Sequence, residues 1–125
     1  IRKFVEAQEK NAPTVTLWGD GSPTREFLFV EDAARGIVMG AEGFNGPEPV
    51  NLGSAEEISI RDLATLIQKK SGFKGKIVWD SARPNGQERR KLDVSRAEKF
   101  FNFRSKVSFA EGLDRTIRWW KEHRK

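Results

Sequence analysis

A chain of 125 residues is long enough for one domain with a modest core, and its lack of cysteine rules out disulfides, thiol catalysis and cysteine metal ligands and fits a reducing cytosol. It contains no run of 18 apolar residues and no basic-then-apolar leader, so neither a membrane helix nor a signal peptide is predicted. Residues 1–62 carry 6 Lys/Arg against 11 Asp/Glu and residues 63–125 carry 17 against 7, so the net charge of +5 hides a basic second half, which reads as solvated helix faces or, alternatively, as a surface for nucleic acid or phosphate.

Residues Ile1 to Ala7 have helical character from the start, with no Met and no capping residue before them, so a preceding segment is expected. The helix is predicted over Arg2 to Asn11, with Ile1, Phe4, Val5 and Gln8 on one side and Asn11-Ala12-Pro13 as its stop. Thr14 to Trp18 alternates as a strand, and Gly19, Asp20, Gly21 and Pro23 form a sharp turn. A second strand is predicted over Glu26 to Val30. Glu31 and Asp32 suit the start of a helix running to about Glu42, through their interaction with its dipole. Ala33, Ala34, Ile37, Val38 and Ala41 are its apolar stripe, suited to packing on a sheet.

Gly43 to Pro49 is a loop, and Val50 to Gly53 a short strand. Ser59 and Asp62 resemble a capping box that opens a helix over 60–71, which Gly72 closes. Lys76 to Trp79 is a strand and Ser81 to Arg90 a polar loop. Asp93 caps a short helix over Ser95 to Phe101. Ser108 with Glu111 starts a last helix, on which Phe109, Leu113, Ile117 and Trp120 share a face. Helix and strand alternate throughout, so the class is α/β. The strands are few and short, as in a small α/β lobe or a part of a larger sheet system.

Two loops carry arginine next to a tryptophan: Trp18 to Arg25, and Trp79 to Arg90 with Arg83-Pro84-Asn85-Gly86-Gln87 between. A guanidinium fork matches a phosphate, and Pro and Gly bring backbone close to a ligand, so the two loops together could clamp a diphosphate. Alternatively Arg25 pairs with Glu31 or Asp32, and Arg83 is a solvated loop charge. Trp18 can stack on a base or sugar, or pack in the core. His123 reads as a solvated residue beside Glu122 and Arg124. No Gly-x-Gly-x-x-Gly follows the first strand, no phosphate loop or Ser/His/Asp set exists, and the chain has no tyrosine. Asp32, Asp62, Asp80 and Asp93 are read as caps and turn residues rather than acid/base groups.

The stretch Leu17-Trp18-Gly19-Asp20-Gly21-Ser22-Pro23-Thr24-Arg25-Glu26-Phe27-Leu28-Phe29-Val30-Glu31-Asp32 resembles the C-terminal half of NAD-dependent nucleotide-sugar epimerases/dehydratases, the extended short-chain dehydrogenase/reductases. Val50 to Gly53, Ile58 to Leu63 and Arg83 to Ala97 continue the likeness in order, and the subfamily most resembled is that of the GDP-L-fucose synthases. Those enzymes usually have Lys-Pro-Asp-Gly where this chain has Arg83-Pro84-Asn85-Gly86, and Arg at 83 is also familiar from UDP-sugar epimerases.

The resemblance implies that residues 1–125 are a small C-terminal lobe lacking most of the Rossmann domain. Its ligand would be a nucleoside diphosphate sugar. Leu17 and Trp18 would border the nucleotide, Arg25 would contact the diphosphate or the sugar nucleotide, and Arg83 and Asn85 would reach the nucleotide from the other side. NAD or NADP, with the catalytic Tyr and Lys, would belong to the missing N-terminal Rossmann domain, so this part would hold no cofactor and turn nothing over. No nucleic-acid or membrane partner is implied; apolar surface left by the missing domain makes self-association into a homo-oligomer an expectation. The alternatives are a stand-alone nucleotide-sugar binding or interaction module, and part of a UDP-sugar 4-epimerase.

Overall fold

The computed structural model describes residues 1–124. In chain order the elements are α1 (Arg2–Glu9), β1 (Thr14–Trp18), β2 (Thr24–Glu26), α2 (Val30–Gly43), β3 (Glu57–Ser59), α3 (Ile60–Ser71), β4 (Lys76–Asp80), β5 (Arg89–Arg90), α4 (Ser95–Phe101) and α5 (Phe109–His123). Local chemistry accounts for the helix ends. Ser59 Oγ accepts from Asp62 N–H at 3.0 Å and its hydroxyl donates to the Asp62 carboxylate at 2.6 Å, while Gly72 closes α3 in the left-handed region at φ +82°. Ser108 Oγ accepts from Glu111 N–H at 3.3 Å to open α5. The cap expected of Asp93 is displaced by one residue: Val94 holds the N-cap position of α4 without a side-chain bond, and Asp93, just before it, accepts from Ser95 N–H at 2.9 Å.

β1 and β4 pair in parallel, from Thr14 opposite Lys76 to Trp18 opposite Asp80. On β1, Val15 is buried and Leu17 packs against the core, while Thr16 and Trp18 lie on the open face, as period-two alternation requires. Helices α1, α3 and α5 cover the inner face. Phe4, Ala7, Val15, Ala64, Ile67, Phe73, Leu113 and Ile117 form this core, and the Phe4 and Phe73 rings meet edge-on at 5.8 Å.

A second, three-stranded sheet has the order β3-β2-β5. Here the structure departs from the predicted elements. The strand expected over Glu26 to Val30 lies earlier, because its partners are short: β2 pairs antiparallel with β3 only as far as Glu26 and parallel with β5 only as far as Arg25. Phe27 then leaves the sheet for the Phe109 ring at 5.6 Å, and Phe29 packs over Gly112 of α5, where a Cβ would come within 3.0 Å of its ring. Val50 to Gly53 forms no strand. That connection is held by side chains instead, with Asn51 donating to Asp93 O at 3.1 Å and Glu26 accepting from Ala55 N–H at 3.0 Å and Leu92 N–H at 2.9 Å. The strand of this region is β3, which was not predicted, and Arg89–Arg90 of the expected polar loop is β5.

Helix α2 is oriented differently from its apolar pattern. Its buried residues are Asp32 and Gly36, whereas Ile37 is 64% and Val38 55% exposed, and Ala34 and Ala41 face outward with them. Within the described residues the stripe meets no sheet. Among those residues no helix is long and apolar enough to cross a membrane.

Candidate functional site

The turn between β1 and β2 is built to approach β4 and the loop after it. Gly19 and Gly21 have φ of +77° and +78°, a region that costs a side chain strain. Gly19 N–H donates to Asp80 O at 2.9 Å, and Ser22 N–H donates to Asp20 Oδ1 at 2.8 Å. That backbone bond, then the Ser22 hydroxyl, holds the Asp20 carboxyl below its ordinary value. The far side of the turn is fixed to α3: Ile60 N–H donates to Pro23 O at 2.8 Å and Arg61 N–H to Gly21 O at 2.9 Å. The Arg61 guanidinium donates to Asp20 O and lies 5.2 Å over the Trp79 ring.

The predicted site residues fall into place unequally. Asn85 Oδ1 accepts from Asp20 N–H at 2.9 Å, which pins the 81–88 loop on the Gly19 turn. Arg83 lies 5.3 Å over the Trp18 ring, with its Nε 3.7 Å from Asp80 Oδ2. Trp18 is 65% exposed, so the core-packing alternative for it does not hold. Leu17 packs against the core on the opposite face of β1. Trp18, Arg83 and Asn85 are thus drawn together.

Arg25 approaches from β2. It is partly buried, its Nη1 donates to Thr24 O at 2.6 Å, and its Nη2 lies 3.9 Å from where a Cβ on Gly86 would stand. The expected pairing with Glu31 or Asp32 is not made. Glu31 pairs with Arg115, and Asp32 takes Arg35 at 2.7 Å plus the N–H groups of Lys106 and Val107 at 2.8 Å each. Those acids are committed elsewhere, and among the described residues Arg25 makes no ion pair.

Sequence reasoning missed the support around this cleft. Arg89 of β5 grips Glu57 of β3 in a two-pronged pair at 2.8 and 2.9 Å, and Thr24 adds a hydrogen bond at 2.5 Å. The Arg89 hydrogen bonds, then that of Thr24, lower the Glu57 carboxyl to about 2. No local pattern could have found a pair 32 residues apart whose partners sit on strands of two and three residues. Arg61, included above only within the Ile58 to Leu63 stretch, was given no role of its own.

No group of three or more His, Cys, Asp or Glu converges among the described residues. The Gly19 turn leads into a strand rather than a helix, and the first turn of α2 carries Glu31 and Asp32, which repel a pyrophosphate. Neither the Gly19 turn nor the start of α2 therefore has the glycine-rich helix N-terminus that cradles a pyrophosphate. What the site residues can offer is a stacking ring and guanidinium groups beside a backbone turn, suited to an anion with an aromatic or sugar group attached.

The sequence profile of the NAD dependent epimerase/dehydratase family matches residues 1–53. GDP-L-fucose synthase 1 of Arabidopsis thaliana is 41% identical over 120 residues, which are 96% of this chain and 37% of that protein. The crystal structure of a GDP-L-fucose synthetase from Naegleria fowleri superposes with a TM-score of 0.89 at 26% identity, covering 98% of this chain and 37% of the other. UDP-glucuronic acid 4-epimerase from Bacillus cereus, solved with UDP-glucuronic acid and NAD, gives 0.81 at 26% identity over 96% and 38%. The chain spans a little over a third of the length of these relatives. In sequence and in its partial α/β fold, the chain belongs to the NAD-dependent epimerase/dehydratase family of extended short-chain dehydrogenase/reductases and is similar to a part of the GDP-L-fucose synthases.

Proposed function

We propose that residues 1–125 form the lobe that binds the nucleoside diphosphate sugar in an NAD(P)-dependent nucleotide-sugar epimerase, dehydratase or reductase, of the GDP-L-fucose synthase kind. The observation that carries this reading is Arg25, a partly buried cation with no carboxylate partner among the described residues, whose Nη2 lies close to Gly86 of the loop that also bears Arg83. Arg25 and Arg83 would hold the diphosphate from two sides. Trp18 and Leu17 would lie toward the nucleotide, with Asn85 holding the loop in place.

NAD or NADP supplies hydride transfer in such a protein, and it would be held by an N-terminal Rossmann domain that also carries the catalytic Tyr and Lys. On this reading the present portion holds no cofactor and turns nothing over by itself. The outward stripe of α2 supports a neighbouring domain there, since a monomer seldom leaves such a face in water. Without that domain the stripe is expected to drive self-association. Ile37→Lys is expected to leave the chain's unfolding free energy within about 0.5 kcal/mol while reducing association in sedimentation velocity. An unchanged size distribution would count against the stripe as the contact.

The clamp is tested by calorimetric titration of the full-length natural protein with GDP and UDP. Removing a charged hydrogen-bonding partner costs about 1.5–3 kcal/mol, so Arg25→Ala should weaken the diphosphate by about ten- to a hundredfold. Wild-type affinity in that variant would reject the role given to Arg25. GDP is expected to bind more tightly than UDP. The second reading, a UDP-sugar 4-epimerase part, has Arg83 in its favour, together with Asn85, which brings no full charge to a guanine edge and already serves the Asp20 N–H; tighter UDP binding would select it.

A further inference from the structure

Arg90 is not among the residues so far given a role, yet the second sheet sets it beside Arg25. The two are register partners across the parallel pair β2–β5. Neighbouring strands lie about 4.8 Å apart, and partners in register project to the same face, so the two side chains leave the sheet side by side. Alternation along β5 divides the work of its two arginines. Arg89, in register with Thr24, leaves on the other face and is neutralised by Glu57 at 2.8 and 2.9 Å. Arg90 is exposed and makes no ion pair among the described residues, and the same holds for Arg25. Arg83, by contrast, has Asp80 within 3.7 Å. Like charges set opposite one another on a sheet repel. Two arginines at register-partner positions, neither with an ion-pair partner among the described residues, therefore favour a ligand with more than one negative charge.

Resting on the nucleotide-sugar reading above, we infer that Arg90 is a second cation for the diphosphate, paired with Arg25 across β2 and β5. Arg25, partly buried and held by Thr24 O, is the fixed member of the pair. Arg90, free on the surface, closes onto the outer phosphate oxygens. Both can donate two N–H groups to oxygens of one diphosphate.

The experiment titrates the full-length natural protein with GDP and with UDP across a series of salt concentrations, for wild type, Arg25→Ala, Arg90→Gln and Arg90→Lys. Arg90→Gln should bind the preferred nucleotide about tenfold more weakly, with a shallower salt dependence and an unchanged melting temperature. Arg90→Lys should recover most of the affinity. Wild-type affinity in Arg90→Gln, alongside a loss in Arg25→Ala, would overturn the role of Arg90 and leave the site reading standing. A loss in Arg90→Gln with an unaltered salt slope would also overturn it. Wild-type protein that binds neither nucleotide would remove the site reading itself, and this inference with it.

Discussion

Asp32→Ala is expected to destabilise the fold by about 3–5 kcal/mol, the range for removing one partner of a buried charged pair. The Asp32 side chain is only 2% exposed, and three donors converge on it from two parts of the chain. Arg35 reaches Oδ1 at 2.7 Å from the next turn of α2, while the N–H groups of Lys106 and Val107 reach Oδ2 at 2.8 Å each. Truncation strands both N–H groups and leaves the Arg35 bond to the Arg104 carbonyl as the remaining hydrogen bond, among the described residues, between α2 and the segment leading into α5. Burial on its own would raise this carboxyl; the hydrogen bonds from Val107, Arg35 and Lys106 outweigh it, and the folded group lies below its ordinary value of 3.8. The sign follows. A carboxylate that is more acidic when folded contributes fully above 3.8, and the contribution fades as pH falls through the lowered value. Urea unfolding at pH 7 should show the full gap between wild type and Asp32→Ala, and the gap should narrow below pH 3.8. A gap that stays constant into acid would mean that packing, not the charge, carries the effect.

Asp32 also marks where sequence reading stops. As a residue in the first turn of a helix it fits a dipole role, and nothing in residues 28 to 36 reveals that its partners lie 74 and 75 positions away. The elements read correctly were those whose causes are local. Ser59 with Asp62, Ser108 with Glu111 and Gly72 fix helix ends within a few residues, and the alternation of Thr14 to Trp18 fixes a strand against one core. β2, β3 and β5 are two or three residues each and exist only through one another, so the apolar run Phe27-Leu28-Phe29 was a better strand by propensity than the charged Thr24-Arg25-Glu26 that forms one. The site followed the same division. The tie of Asn85 to the Gly19 turn gathers Trp18 and Arg83 where their loops suggested, whereas the bareness of Arg25 depended on Arg115 and Arg35 claiming the nearby acids.

Gly21→Ala should cost about 3 kcal/mol and weaken nucleotide binding together with stability. Two effects add at this position. The residue sits at φ +78°, where a Cβ costs about 1–2 kcal/mol. That Cβ would also lie 2.5 to 2.9 Å from the Trp79 ring, an overlap worth about 1–3 kcal/mol. The ring has little room to retreat, with the core behind it and Arg61 over its face at 5.2 Å. The backbone must move instead, and it carries the hydrogen bonds of Gly21 O to Arg61 and of Pro23 O to Ile60 that set the entry to β2. Arg25 is the second residue of that strand, so its guanidinium shifts with the turn. Gly72→Ala separates the two effects: at φ +82° it meets the same backbone strain, but no atom lies within 4 Å of the added Cβ. It should cost only the strain, about 1–2 kcal/mol, and leave GDP and UDP titrations unchanged. Equal losses at the two glycines would show that the Trp79 contact contributes nothing, and that the turn tolerates a side chain facing the ring.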